Sequence, residues 1–264
     1  MSSPLTSIVM LTMNEWRYTE LALRSLAAHT PERHEIIVVD NGSTDGTPRR
    51  LAAFPGVRVI ANAGNRGFAA GSNQGILASQ GDEILLLNND VLLTPGWLAG
   101  LRRALGATHA TGMAGPISNY VSGLQLDRGA AYHTPQELLA YATANAARNA
   151  GRFSRVDRLV GFALLFRRDL VERIGLLDER FGRGNFEDDD YGRRARIAGY
   201  DLVIAHDVFI HHFGSRSFVG NGIDYGAEME RNQAIFTAKW TLPPEPRRAP
   251  AGAAGSLPAA IEIS

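Results

Sequence analysis

The residues best equipped for chemistry are the acids of Asn185-Phe186-Glu187-Asp188-Asp189-Asp190-Tyr191-Gly192-Arg193-Arg194 and the polar run Asn88-Asn89-Asp90. Tyr191, Ala195 and Ala198 recur at helical spacing behind the four acids, so the acids open a helix. Asp189 and Asp190 each have an arginine four residues on, Arg193 and Arg194, and ordinary surface pairs account for them. Glu187 faces Tyr191 and Asp188 faces Gly192 at that spacing, so neither has a basic partner. An unpaired carboxylate at a helix start, crowded by like charges, is a candidate general base. A solvated acidic cap, favoured by the helix dipole, is the competing reading.

Three further segments carry candidate ligand-binding groups, each with a plainer alternative. Asn88-Asn89-Asp90 follows the apolar run Ile84-Leu85-Leu86-Leu87. It reads either as a strand-ending turn or as a modified DxD element, with Asp90 binding Mg²⁺ or Mn²⁺ against a diphosphate. Asp40-Asn41-Gly42-Ser43-Thr44-Asp45-Gly46 reads as a tight turn, or as a loop in which Asp40 meets a nucleobase. Gly71 and Gly75, one turn apart after Asn65-Arg66-Gly67-Phe68, are explained by close packing of a helix on a sheet, while Asn65-Arg66-Gly67 could reach a nucleotide. There is neither a GxGxxG fingerprint nor a GKS/GKT phosphate loop. Of His211-His212, at most one can enter a given site, because neighbours on a strand face opposite sides. The Gly214-Ser215-Arg216-Ser217 loop beside them would suit phosphate or metal contact.

These groups need strands and helices to position them. Ser7–Leu11, Glu35–Val39, Val57–Ile60 and Glu83–Leu87 read as buried strands, separated by helices at about Trp16–Ala28, Pro48–Ala53 and Phe68–Ser79. Another helix begins at Pro95. Apolar strands in this alternation predict a parallel sheet covered on both faces, with ligands beyond the carboxyl ends of the strands. Thr12-Met13-Asn14-Glu15, Asp40-Asn41-Gly42-Ser43 and Asn88-Asn89-Asp90 all lie there. The second half is less regular. Ser118–Leu126 reads as loop, Pro135–Asn149 as a polar helix, Leu159–Phe166 as a strand and Arg168–Ile174 as a short helix. Leu202–His212 is strand-like and Asp224–Trp240 helical, before a Pro/Ala-rich tail, residues 241–264, that reads as flexible.

A chain of 264 residues can bury a sizeable core. Its formal net charge of zero argues against nucleic acid or a membrane surface as principal partner. The absence of cysteine excludes disulfides and thiolate chemistry and fits a cytoplasmic location. No apolar run is long enough to predict a transmembrane segment.

In order and spacing, these segments resemble the family 2 glycosyltransferases, over about Leu5 to Trp240. The resemblance rests on Ile8-Val9-Met10-Leu11-Thr12-Met13-Asn14, Val38-Val39-Asp40-Asn41-Gly42-Ser43-Thr44-Asp45-Gly46, Asn65-Arg66-Gly67-Phe68 and Leu86-Leu87-Asn88-Asn89-Asp90-Val91. Downstream it continues through Gly161–Arg168, Gly175–Phe181, the acidic helix start, and His212 with Ser217. It implies the α/β GT-A (nucleotide-diphospho-sugar transferase) fold, a mostly parallel central sheet flanked by helices. The nucleotide-binding half would span about residues 1–117 and the acceptor-side half about 118–240. It also implies an inverting transfer from a nucleotide diphosphate donor, a UDP- or dTDP-sugar being favoured, with a divalent cation. Acceptors in such families are glycans, lipid-linked glycans, proteins or small molecules. Carried over by position, Asp188 is the base with Glu187 beside it. Thr12, Asn14, Glu15, Asp40, Asn65, Gly67, Asn88 and Asn89 line the nucleotide-sugar site, and Asp90 and His212 hold the metal. Asn88 departs from the usual aspartate, and Ser72 stands where some relatives carry arginine. A sugar nucleotidyltransferase and a non-catalytic nucleotide-sugar-binding domain are the alternatives.

Overall fold

The computed structural model describes residues 3–214 and 224–241. Runs rich in β-branched and leucine side chains in the first half form β1 (Thr6–Thr12), β2 (His34–Asp40), β3 (Val57–Ala61) and β4 (Glu83–Asn88). They pair in parallel, with β1 between β2 and β4. The intervening helices are α1 (Trp16–His29), α2 (Thr47–Ala52) and α3 (Phe68–Ala78). After β4 come a short β5 (Val91–Leu92), α4 (Trp97–Leu105) and β6 (Thr111–Ile117). The second half adds α5 (Pro135–Arg148), β7 (Phe153–Val156), β8 (Ala163–Arg167), α6 (Arg168–Ile174), α7 (Glu187–Ile197), β9 (Asp201–Phe209), β10 (His211–His212) and α8 (Tyr225–Thr241).

The main sheet has eight strands in the order β3-β2-β1-β4-β8-β6-β9-β7. The mostly parallel sheet is therefore correct, but not parallel throughout. β8 runs antiparallel to both β4 and β6, and β7 antiparallel to β9. One face is covered through Leu23 and Leu26 of α1 and Leu98 and Leu101 of α4, the other through Ile76 of α3 and Tyr191 of α7. Gly71 and Gly75 do what close packing requires: a β-carbon at either would overlap Leu11 or Val9 of β1. No helix among the described residues is long and apolar enough to cross a membrane.

Several local expectations need correction. The apolar run from Leu159 becomes strand only at Ala163; Leu159 and Phe162 are fully buried but lie in a loop and a turn, so burial rather than pleating explains their type. The Leu202–His212 run breaks after Phe209, where Ile210 donates to the Ile117 carbonyl (3.1 Å) and the chain enters a separate ribbon. β6 has no counterpart among the expected strands, because Gly112, Gly115 and Pro116 hide a strand that is buried along its whole length. α8 runs one residue beyond Trp240, and the rest of the expected tail, like Ser215, Arg216 and Ser217, lies outside the described residues.

Candidate active site

At the carboxyl end of β4, Val91 and Leu92 of β5 pair antiparallel with His212 and His211 of β10. This two-stranded ribbon brings Asp90 beside His212 although 122 residues separate them, with Nε2 3.1 Å from the carboxylate Oδ1. Asn88 Nδ2 lies 3.4 Å from the same nitrogen. His212 Nδ1 lies 2.8 Å from the Tyr120 carbonyl, which can only accept, so Nδ1 carries a proton. Nε2 and Asp90 then face each other either as an imidazolium–carboxylate pair or as two donor atoms for a cation. Both side chains are buried; the carboxylate suits a hard cation such as Mg²⁺ or Mn²⁺, whereas the imidazole is a poor ligand for Mg²⁺, so the pair fits Mn²⁺ better. No group of three His, Cys, Asp or Glu side chains is gathered for a metal among the described residues. His211 points the other way, into a bond with the Tyr132 hydroxyl (2.6 Å), and burial pushes its pKa down to about 4. One histidine of the pair enters the site, as alternation on a strand requires.

The acids of α7 lie on the same site through a short connecting segment. Asp188 Oδ2 accepts from the Gly161 amide (2.8 Å), and Oδ1 from the Asp189 amide (2.8 Å). The residue after Gly161, Phe162, stacks on the His212 ring (5.2 Å between centroids, 15° between planes), and its carbonyl accepts from the Asn88 amide (2.8 Å). Gly161 lies so close that a β-carbon there would stand 3.1 Å from Asp188 Cβ. Two consecutive residues thus link the acidic helix to Asn88 and His212.

Asp188 is 8% exposed. Burial pushes its carboxyl up to about 6, Asp189 adds to this, and the Gly161 amide and Arg158 oppose it. Burial, with Asp188 next, holds Glu187 well above the usual carboxylate range. Glu187 Oε2 is buried without a hydrogen-bond partner among the described residues. The solvated-cap reading is therefore excluded for both acids. Of the two expected surface pairs only one forms, and it is not at the surface, since Asp190 is fully buried. Asp190 is bound by Arg194 (2.9 Å), whereas Asp189 pairs with Arg158, and Arg193 lies over the Trp240 ring (4.6 Å) instead. Arg158 also gives Asp188 the basic neighbour that helical spacing could not reveal.

The other predicted site residues form two groups. Thr12 Oγ1 and Asn89 Nδ2 join Thr19 in a buried cluster (2.7 Å from Thr12 to Thr19, 3.0 Å from Asn89 to Thr19), bracing the ends of β1 and β4. Asp40 Oδ1 accepts from the Ser43 amide (3.0 Å), and Asn14 Oδ1 from the Thr44 amide (2.8 Å), so Asn14 ties the β1 end to the β2 loop. Asn65 Oδ1 accepts from the Gly67 amide and from Asn41 Nδ2 (2.8 and 3.0 Å). Asn41, to which sequence reasoning assigns no role, also bonds Asn62, Arg66 and the Gly67 carbonyl. Gly67 itself, with φ 90°, abuts the backbone of Gly182, so close packing accounts for it without any ligand. Ser72 is buried within α3.

Backbone conformation marks the same region. Among the described residues, the non-glycine residues with positive φ are Asn14 and Glu15, at the entry of α1, and Asn185 and Phe186, at the entry of α7. Each left-handed residue costs of order 1–3 kcal/mol, and such strain clusters at functional sites. Of the residues beside these acids and His212 that sequence reasoning misses, Arg158 carries no signal in its spacing, while Phe162 lies in a motif whose order is recognisable.

Known proteins share this arrangement of elements. Residues 7–175 match the family described as Glycosyl transferase family 2. The chain is 27% identical to an N-acetylglucosaminyl-diphospho-decaprenol L-rhamnosyltransferase of Mycobacterium tuberculosis, covering 89% of this chain and 88% of the relative. It is 26% identical to glycosyltransferase AglE of Haloferax volcanii, over 79% of this chain and 67% of that one. Among solved structures it resembles the mannosyltransferase PcManGT of Pyrobaculum calidifontis, in complex with GDP-Man and Mn²⁺ (TM-score 0.60, 22% identity, 80% of this chain and 57% of that chain). It also resembles GalNAc-T7 with UDP, GalNAc and Mn²⁺ (TM-score 0.62, 17% identity, 79% and 43%). The chain spans about half the length of these two structures, which establish the GT-A fold. The family match covers well over half of the chain, and by it the protein belongs to glycosyl transferase family 2 and is a glycosyltransferase.

Proposed function

We propose that this protein transfers a sugar from a nucleoside diphosphate donor to an acceptor hydroxyl with inversion at the anomeric carbon, using Asp188 as the base. The observation that carries this reading is the Gly161-Phe162 link, which ties Asp188, a buried carboxyl pushed up to about 6, to Asn88 and His212. In the step itself, the acceptor oxygen loses its proton to Asp188 and bonds to the anomeric carbon. The bond from that carbon to the diphosphate oxygen breaks on the opposite face, and the pair of electrons leaves with the nucleoside diphosphate. Burial, with Asp188 next, raises the pKa of Glu187, which disfavours a second charge beside the base. Asp90 and His212, with Asn88 alongside, would hold a divalent cation, which stabilises charge developing on the diphosphate. Asp40, Asn14, Glu15, Thr12, Asn65 and Gly67 shape the nucleotide side, most of them by fixing its loops.

The acceptor side is assigned to about residues 118–157. Tyr120 and Leu124 are exposed there (53% and 76%), and Arg158 Nη1 donates to Ser122 (2.8 Å) while pairing with Asp189. The mycobacterial relative's name makes a rhamnosyl donor and a lipid-diphosphate-linked N-acetylglucosamine acceptor the first pair to test, in a cytoplasmic reaction. A donor screen decides. A nucleoside diphosphate at about a hundredfold above its Kd, with Mn²⁺, should raise Tm by roughly 5–10 °C. Asp90→Ala should lose the Mn²⁺-dependent part. Product of retained anomeric configuration, or pyrophosphate exchange in place of transfer, would refute the proposal.

The base also fixes the pH profile. Below about 6, kcat/KM should fall about tenfold per pH unit, as protonated Asp188 can no longer accept a proton. Stability should run the other way. The ordinary value for this carboxyl is 3.8, so the folded state binds its proton more tightly than the unfolded chain. This contribution is therefore lost as pH rises from about 4 to about 6. Parallel melts and rate measurements across pH 4–8 would expose the opposed slopes; an activity plateau extending down to pH 4 would contradict them.

A further inference from the structure

We infer that Asn232, on α8, is a positioning residue for the base. The inference rests on the reading of Asp188 given above and extends it to α8, which packs against the entry of α7. The backbone entering α7 is left-handed at Gly182, Gly184, Asn185 and Phe186 (φ 57°, 126°, 76° and 70°). That path sets the direction of the first turn of α7, whose second residue is Asp188. Two of the four positions lack glycine's freedom, so something outside the turn has to stabilise them.

Asn232 is fully buried, and its Nδ2 reaches the carbonyls of Phe181 (2.7 Å), Gly184 (2.7 Å) and Asn185 (3.2 Å). Its own oxygen accepts from Arg231 Nη1 (3.0 Å). A single amide therefore gathers the carbonyls of the left-handed path. The rest of α8 holds the same helix start from beneath. Phe236 packs on Phe186 (5.5 Å between centroids), and Trp240 Nε1 donates to the buried Asp190 (3.1 Å). Lys239, the only lysine in the chain, bridges Asp178 and Asp190 (2.7 and 2.6 Å). From the opposite side, the Phe68 amide donates to the Gly182 carbonyl (2.8 Å). The entry to α7 is thus clamped between α3 and α8, and Asn232 supplies the hydrogen bonds on the α8 side.

A double-mutant cycle separates positioning from general support. Asn232→Leu keeps the volume and removes the donors. Its turnover, normalised to the fraction of molecules that bind nucleoside diphosphate with Mn²⁺, should fall at least tenfold, with donor Kd within twofold of the native value. In an Asp188→Asn background the same change should alter the residual rate by less than twofold, because the group it orients is gone. An equal loss in both backgrounds, or donor Kd weakening in step with turnover, would overturn the inference while leaving the base assignment intact. Full activity in Asp188→Asn alone would remove the base assignment and this inference together. Asn232→Ser, which retains one donor, supplies the same cycle with a threefold or larger loss if the leucine variant does not fold; equal losses in its two backgrounds would likewise overturn the inference.

Discussion

Asp188→Asn should yield a folded protein that still binds a nucleoside diphosphate but transfers sugar about 10²–10⁴ times more slowly, the usual contribution of a positioned base. The fold should survive because two effects oppose each other. The amide oxygen can replace only one of the two carboxylate oxygens that accept from Gly161 and Asp189, and losing a buried acceptor costs about 1–3 kcal/mol. Against this, the variant no longer buries a charge beside Asp189, which is what raises the Asp188 pKa. Single-turnover transfer at pH 7.5, set beside a thermal melt, reads both. A rate within tenfold of the native enzyme would remove Asp188 from the chemistry.

Gly67→Ala should have the largest effect on stability, with a loss of about 3–5 kcal/mol, or roughly 10 °C in Tm. A β-carbon at this position overlaps the Gly182 carbonyl oxygen, which is backbone and also accepts from Phe68. The φ of 90° and ψ of 168° belong to a region open essentially to glycine alone. Relief requires the Gly182–Phe186 turn to move, and that turn leads into Asp188, the proposed base, so activity should fall further than stability alone explains. Gly71→Ala is the matched control: it meets the flexible end of Leu11 and should be milder. Equal melting temperatures for Gly67→Ala and the native chain would contradict the close contact.

The strands of the first half are legible in the sequence because β1, β2 and β4 carry continuous apolar runs, each leading into amides and acids, and Arg58 alone interrupts β3. β6 is not legible: two glycines and a proline carry no strand signal, and tertiary burial between β8 and β9 makes the strand. Residues 159–162 mislead for the opposite reason, since buried apolar side chains imitate a pleated run whatever the backbone does. In the site, Asp188 and His212 stand out from local context. The Arg158–Asp189 pair, Phe162 on His212 and the Asn232 amide on the α7 entry span 31, 50 and up to 51 positions, beyond any helical or strand periodicity. Gly67 suggests a ligand contact because a glycine after Asn65-Arg66 looks the same in sequence whether a phosphate or another backbone approaches it.

The placement of β8 has a consequence for how such an enzyme can diversify. A strand encoded well after Ile117 lies between β4 and β6, both encoded before it. Cutting the chain there would part β8 from both strands it pairs with, so a recombined second half would have to bring a β8 that fits the edges of β4 and β6. The two halves of the chain are therefore interlocked through the sheet rather than joined end to end. Loops at the strand ends can vary without disturbing that interlock.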